Sequence, residues 1–163
     1  MYFLEFCRGY FIHREVFNPF VVEIGVKEGK QRPFYEQYLN AQYIGIDINT
    51  NTPATIKGDS KNPETWSKLM EILNGDQIDL LFIDGAHDYA TVESDYEMYS
   101  PIVRHIIAFH DLCGMREDVG KFWRFIVEKE KLRYTFITIF QWGYYPVHSG
   151  DVMGIGMMIK KYD

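Results

Sequence analysis

Two runs, Leu80-Leu81-Phe82-Ile83 and His105-Ile106-Ile107-Ala108-Phe109, constrain this chain more than any other feature. The first closes on Asp84-Gly85-Ala86-His87 and the second on His110-Asp111. A segment that stays apolar without alternating reads as a strand covered on both faces, the condition of a parallel sheet flanked by helices. In an open sheet of that kind, ligands bind just outside the carboxyl ends of the strands. Two such strands deliver Asp84, His87, His110 and Asp111 to one edge. A third apolar segment, Val21-Val22-Glu23-Ile24, leads into a glycine-punctuated loop there.

The rest of the chain alternates in the same rhythm. The first twenty residues are amphipathic and aromatic and are expected to form a helix and a loop. Strands are expected at Val21–Ile24, Tyr43–Ile48, Ala54–Lys57, Ile78–Asp84 and His105–His110, and helices at Gln31–Asn40, Asn62–Leu73, Asp88–Tyr99 and Glu117–Lys131. Asn62 suits a helix cap and Pro63 the first helical position. Tyr134–Gln141 and Val152–Lys160 then follow as two strands with no helix between them, joined by a hairpin loop containing His148-Ser149-Gly150-Asp151. The order predicts an α/β fold. Its sheet is Rossmann-like, doubly wound, mainly parallel and seven-stranded, with an antiparallel C-terminal strand.

With 163 residues, 47% of them hydrophobic, and no linker or repeat, residues 1–163 are expected to form one domain. A net charge of -6 argues against nucleic-acid or membrane-surface partners, which want clustered Lys and Arg. There is no signal-peptide pattern and no apolar run of transmembrane length, so a cytoplasmic location is expected, with Cys7 and Cys113 as reduced thiols.

Each site residue has a chemical reason and a competing structural one. Gly25 can take a positive φ, and a glycine-punctuated loop from Gly25 to Gly29 lets the backbone approach a ligand closely, although G-x-x-x-G is not the G-x-G-x-x-G of dinucleotide sites. Asp47 ends the second strand, where an acid suits the two hydroxyls of a ribose. Asp59 and Ser60 follow the third strand and suit either an adenine edge or the cap of the next helix. Asp84 and Asp111 end strands that lie ~4.8 Å apart if paired, and two acids that close call for a cation between them. Otherwise Asp84 orients a cofactor and Asp111 caps a helix. His110 is either a third ligand or, by strand alternation, turned into the flanking layer. His87 is the candidate general base, since an imidazole titrates near neutrality.

Taken in order, Val22-Glu23-Ile24-Gly25 with Gly29, Gly45-Ile46-Asp47, Gly58-Asp59-Ser60, Phe82-Ile83-Asp84-Gly85-Ala86-His87 and Phe109-His110-Asp111 resemble a class I S-adenosylmethionine-dependent methyltransferase. The likeness is strongest to the small-molecule O-methyltransferase group of cephalosporin hydroxylase-like and macrolide-sugar enzymes, and it spans Val21 to Lys160. It implies S-adenosylmethionine held by Glu23, Gly25, Gly29, Asp47, Asp59, Ser60 and Asp84. It implies Mg2+ on Asp84, His110 and Asp111, with His87 as catalytic base. The family often has an acid where His110 stands, and an imidazole there favours Mn2+ or a similar ion over Mg2+. The expected reaction is methylation of a hydroxyl on a small-molecule acceptor. The stretch before the first strand is shorter than the lid-forming segments of the family, which leaves a role for a homo-oligomer in closing the site. The alternatives are an NAD-binding Rossmann oxidoreductase and a cofactor-binding module of the same fold without turnover.

Overall fold

The computed structural model describes residues 2–113, 117–142 and 152–161. The expected hairpin loop at His148–Asp151 lies outside the described residues. Helix α1 (Tyr2–His13) precedes β1 (Phe20–Ile24), β2 (Gln42–Asp47) and the short β3 (Ile56–Lys57). Then come α2 (Pro63–Leu73), β4 (Ile78–Ile83), α3 (Tyr89–Tyr99), β5 (Val103–Phe109), α4 (Glu117–Glu130), β6 (Tyr134–Trp142) and β7 (Val152–Lys160).

The seven strands lie in the order β3-β2-β1-β4-β5-β7-β6. All neighbours from β3 to β5 are parallel, and β7 runs antiparallel to both β5 and β6. The chain therefore winds outward from β1 in one direction and from β4 in the other. The crevice outside the carboxyl ends of these two central strands is the topological switch point, where such sheets hold ligands.

Strand alternation divides the core in two. Val22, Ile24, Leu81, Ile83, Ile107 and Phe109 face a layer made by Leu69 and Leu73 of α2, Tyr96 and Tyr99 of α3, and Phe122, Trp123 and Ile126 of α4. Val21, Leu80, Phe82, Ile106 and Ala108 face Phe3, Cys7 and Phe11 of α1, with Tyr35 and Leu39. Every residue of β4 is buried, as its unbroken apolar run requires. The helix signals in the sequence act as written: Asn62 Oδ1 accepts the Glu64 N–H at 2.9 Å and Asp88 Oδ1 the Thr91 N–H at 3.0 Å.

One expected helix differs. Gln31–Asn40 is shortened to a wide π-helical turn at Phe34–Tyr38. The Ala41 N–H reaches back to the Tyr35 carbonyl at 3.1 Å, and Asn40 takes a left-handed φ of 54°, which ends the element. Such wide turns cost hydrogen-bond quality and tend to sit where a side chain must be aimed. Here the aimed side chains are Gln31 and Tyr35. The strand at 54–57 also shrinks, to Ile56–Lys57.

Candidate functional site

A cleft of about 940 Å³ opens at the carboxyl edge of β1, β2 and β4. Its walls include Gly25, Asp47, Asp59, Ser60, Asp84, His87, His110 and Asp111, so it gathers eight of the ten residues singled out in the sequence. Gly25 turns the chain out of β1 at φ 93°. A Cβ there would lie 2.3 Å from the Asp84 carbonyl oxygen and 2.5 Å from the Gly85 Cα. Only glycine lets the loops leaving β1 and β4 touch in this way.

Asp47 closes the side of the cleft formed by β2. Its Oδ2 accepts the Lys27 N–H at 2.8 Å and its Oδ1 the Asn49 N–H at 2.8 Å. These bonds fix the carboxylate while leaving each oxygen further lone pairs that face the cleft. Lys27 itself sits at a left-handed φ of 51°, which turns its N–H toward that acid. Asp59 Oδ1 accepts the Lys61 N–H at 3.0 Å.

Two expected cofactor residues stand off the cleft wall. Glu23 alternates with Val22 and Ile24 and so points to the α1 face, where the Tyr43 hydroxyl donates to its Oε2. Its carboxyl is almost fully buried, and that burial pushes its pKa up to about 7. Gly29 turns the chain at φ 71° and packs on the Pro53 ring, 2.5 Å from where its Cβ would be.

At the other end of the cleft four side chains converge. His110 Nδ1 lies 3.2 Å from Asp84 Oδ1 and 3.1 Å from Asp111 Oδ1. His87 Nε2 lies 3.1 Å from Asp111 Oδ2 and 3.8 Å from Asp84 Oδ1. Asp84, His110 and Asp111 each present one ligand atom, all within 4.8 Å of one another. Alternation turns His110 to the α1 face, where its ring lies 6.0 Å from that of Phe82, and from the strand end it also lines the cleft. Asp111, at a left-handed φ of 56°, bends the chain so that both side chains enter the cleft. A non-glycine residue in that conformation stores strain and tends to mark a functional position.

The cluster has the chemistry of a cation site. His110 Nδ1 is buried and, despite its short approaches to two carboxylates, is aligned with neither for a hydrogen bond. Burial alone would lower the His110 pKa, yet the Asp111 and Asp84 carboxylates outweigh it and push it up to about 10. A proton there is one answer to the two negative charges. A divalent cation bound by two carboxylate oxygens and one imidazole nitrogen is the other, and the donor set suits Mn2+ and its neighbours better than Mg2+.

Sequence reasoning missed two residues. Gln31 Nε2 donates to Asp84 Oδ2 at 3.2 Å, while the Tyr35 hydroxyl donates to Gln31 Oε1 at 3.0 Å. The second bond fixes the amide so that the first can hold Asp84. Asp95, on the buried side of α3, accepts the Ser60 hydroxyl at 2.6 Å and reaches the cleft wall. Burial pushes the Asp95 carboxyl up to about 6. A polar residue on the buried stripe of α3 was the available signal, and it was read only as part of a helix.

Comparison with known proteins agrees with this fold. Over 96% of its length the chain superposes on the MycE methyltransferase of the mycinamycin biosynthetic pathway, crystallised with Mg, SAH and mycinamycin VI, with a TM-score of 0.60 at 15% identity. It spans about half of that enzyme, 48% of its chain. It superposes on an O-methyltransferase from Bacillus cereus in complex with SAH with a TM-score of 0.63 at 14% identity, covering 96% of this chain and 80% of that one. For the O-methyltransferase TomG of Streptomyces achromogenes, in complex with SAM, the TM-score is 0.65 at 12% identity, covering 96% and 78%. No curated protein matches the sequence. Residues 22–112, which run from the glycine loop to the two acids of the cluster, match the family described as "Methyltransferase domain", and the chain belongs to that family.

Proposed function

We propose that this chain is an S-adenosylmethionine-dependent methyltransferase that methylates a hydroxyl of a small molecule with the help of a divalent cation. The observation that carries the reading is the meeting, in one cleft, of the Gly25 loop and Asp47 with the Asp84, His87, His110 and Asp111 cluster. The NAD-dependent alternative loses its basis, because the glycine loop itself falls within the methyltransferase family match.

The donor supplies a methyl group already activated on a sulfonium, so the protein's work is placement and proton removal. Asp47 offers its two fixed carboxylate oxygens to the ribose hydroxyls. Gly25 keeps the loop low enough for the methionine portion to lie against the backbone. Asp59, with Ser60 and Asp95 beside it, faces the base. Asp84, Asp111 and His110 would hold the cation, which would supply Lewis acidity toward the acceptor hydroxyl. His87 takes the hydroxyl proton, and the Asp111 carboxylate 3.1 Å away stabilises the imidazolium that forms. The O–C bond forms as the S–C bond breaks, leaving a methyl ether, a neutral thioether and one proton on the protein.

Titration calorimetry tests the reading. S-adenosylmethionine and S-adenosylhomocysteine should bind and NAD should not, and Asp47→Ala should weaken binding by about 1–3 kcal/mol through lost charge-assisted bonds. Binding of NAD in place of the methyl donor, or full affinity in the variant, would overturn it.

A further inference from the structure

A second cavity, of about 210 Å³, adjoins the cluster on the α1 face of the sheet. Gln31 and His110 line both it and the large cleft, so the two spaces meet at the proposed cation site. Its remaining walls are Phe3 and Leu4 of α1, Phe34 and Tyr35 of the π-helical turn, Phe82 of β4 and Ile155 of β7. The aromatic rings behind it pack on one another, and Tyr35 and Phe82 are buried. Phe3 and Phe82 have ring centroids 5.4 Å apart, Tyr35 and Phe82 6.3 Å, and Phe82 and His110 6.0 Å. Phe34 stands at the mouth, 57% exposed.

The geometry points to this cavity as the acceptor subsite and to a small monocyclic phenol as the class of acceptor. The proposal rests on the methyltransferase reading above and deepens it. Three observations support it. The first is size: an apolar cavity of about 150 Å³ accommodates benzene, so 210 Å³ takes one ring with one or two small substituents. The second is the distribution of polarity. The Gln31 amide and the His110 ring lie at the end shared with the cleft, and the Tyr35 hydroxyl is already committed to Gln31. A ring with its hydroxyl at that end satisfies its one polar group and presents carbon to carbon elsewhere. A sugar ring would bury several hydroxyls against phenylalanine and isoleucine with no partners, at a cost of about 1–3 kcal/mol for each one left unpaired. The third is acidity. A phenolic hydroxyl has a pKa of about 10, well below that of an alcohol, so it asks less of His87. Its oxygen would face Asp84, His110 and the donor's methyl, and the proton, O–C and S–C changes are those written above.

The probe is 4-fluorophenol, which carries one hydroxyl and does not chelate, followed by 19F NMR on the full chain, with myo-inositol as competitor. The phenol should bind at millimolar concentration and inositol should not displace it. Leu4→Trp and Ile155→Trp fill the cavity from opposite walls, so one remains usable if the other fails to fold. Each should weaken phenol binding by about tenfold or more and leave S-adenosylhomocysteine binding, measured by calorimetry, unchanged. Absence of phenol binding to the wild type, unchanged binding in the filled variants, or equal displacement by inositol overturns the proposal. Phenol binding that the filled variants lose, in a protein that binds no S-adenosylhomocysteine, would keep the cavity assignment and remove the methyltransferase reading beneath it.

Discussion

Strands β4 and β5 carry an acid–histidine group at each end, and the two groups have opposite character. At the amino edge Asp79 Oδ2 accepts the Phe20 N–H at 2.8 Å, and Asp79 Oδ1 lies 3.5 Å from Arg104 Nη1 and 3.8 Å from His105 Nε2. One acid there meets one guanidinium and one imidazole. His105 is held neutral, its pKa lowered to about 4 by burial and by Arg104. At the carboxyl edge two acids, Asp84 and Asp111, face two histidines, His87 and His110. The first group is sealed, with both acid and histidine side chains 5% exposed, while Asp84, His87, His110 and Asp111 are 17–23% exposed to the cleft. The same residue types form a closed structural clamp where they are dry, and an open cluster where they face a cleft.

Breaking the open group should cost rate. His87→Ala should slow methyl transfer by about 10²–10⁴-fold while S-adenosylhomocysteine affinity stays near that of the wild type. Turnover at the wild-type rate, measured on any accepted phenol, would place the base elsewhere. Breaking the sealed group should cost stability. Asp79→Ala strips the Phe20 N–H of its partner and should lower unfolding free energy by about 1–3 kcal/mol in urea titration, with cofactor affinity unaffected.

A third test concerns Glu23, which sits under the open group on the α1 face. Its folded pKa of about 7 exceeds the ordinary 4.5, so between those values the folded state binds more protons than the unfolded one. Stability should therefore fall as pH rises through that window, by on the order of 2 kcal/mol, and level off above it. Glu23→Gln should flatten that slope, and an unchanged slope would assign the titration to another group. The smallest effect is expected at Asp111→Asn. Asparagine tolerates the left-handed φ and removes one of two crowded charges. Stability should stay within ~0.5 kcal/mol of wild type, although Mn2+ binding, followed by electron paramagnetic resonance, should be lost. A variant that binds Mn2+ normally would take Asp111 out of the ligand set.

The sheet and its carboxyl edge were legible in the sequence, the Asp79 group at the amino edge was not, and the exceptions have physical causes. The unbroken apolar runs of β4 and β5 could belong only to a sheet covered on both faces, and they fixed the edge on which Asp84 and Asp111 stand. Alternation put His110 in doubt by turning it to the α1 face; it does lie there beside Phe82, but at the strand end that face and the cleft meet. The same alternation, applied to Glu23, would have turned its side chain away from the cleft. Gln31 was illegible because its role depends on a π-helical turn, and a single extra residue per turn leaves no periodic signature. Asp95 was hidden by helical context, since its partner Ser60 is 35 residues away.

The contact between Gly25 and the Asp84–Gly85 backbone bears on how this protein can change over generations. A residue with any side chain at position 25 would displace the loop leaving β1 and, in the same movement, the backbone of Asp84, the first acid of the cluster. The two halves of the chemistry have no independent freedom at that seam. If the second cavity takes the acceptor, as proposed, new acceptors would be explored from its walls at Leu4, Phe34 and Ile155, away from that seam.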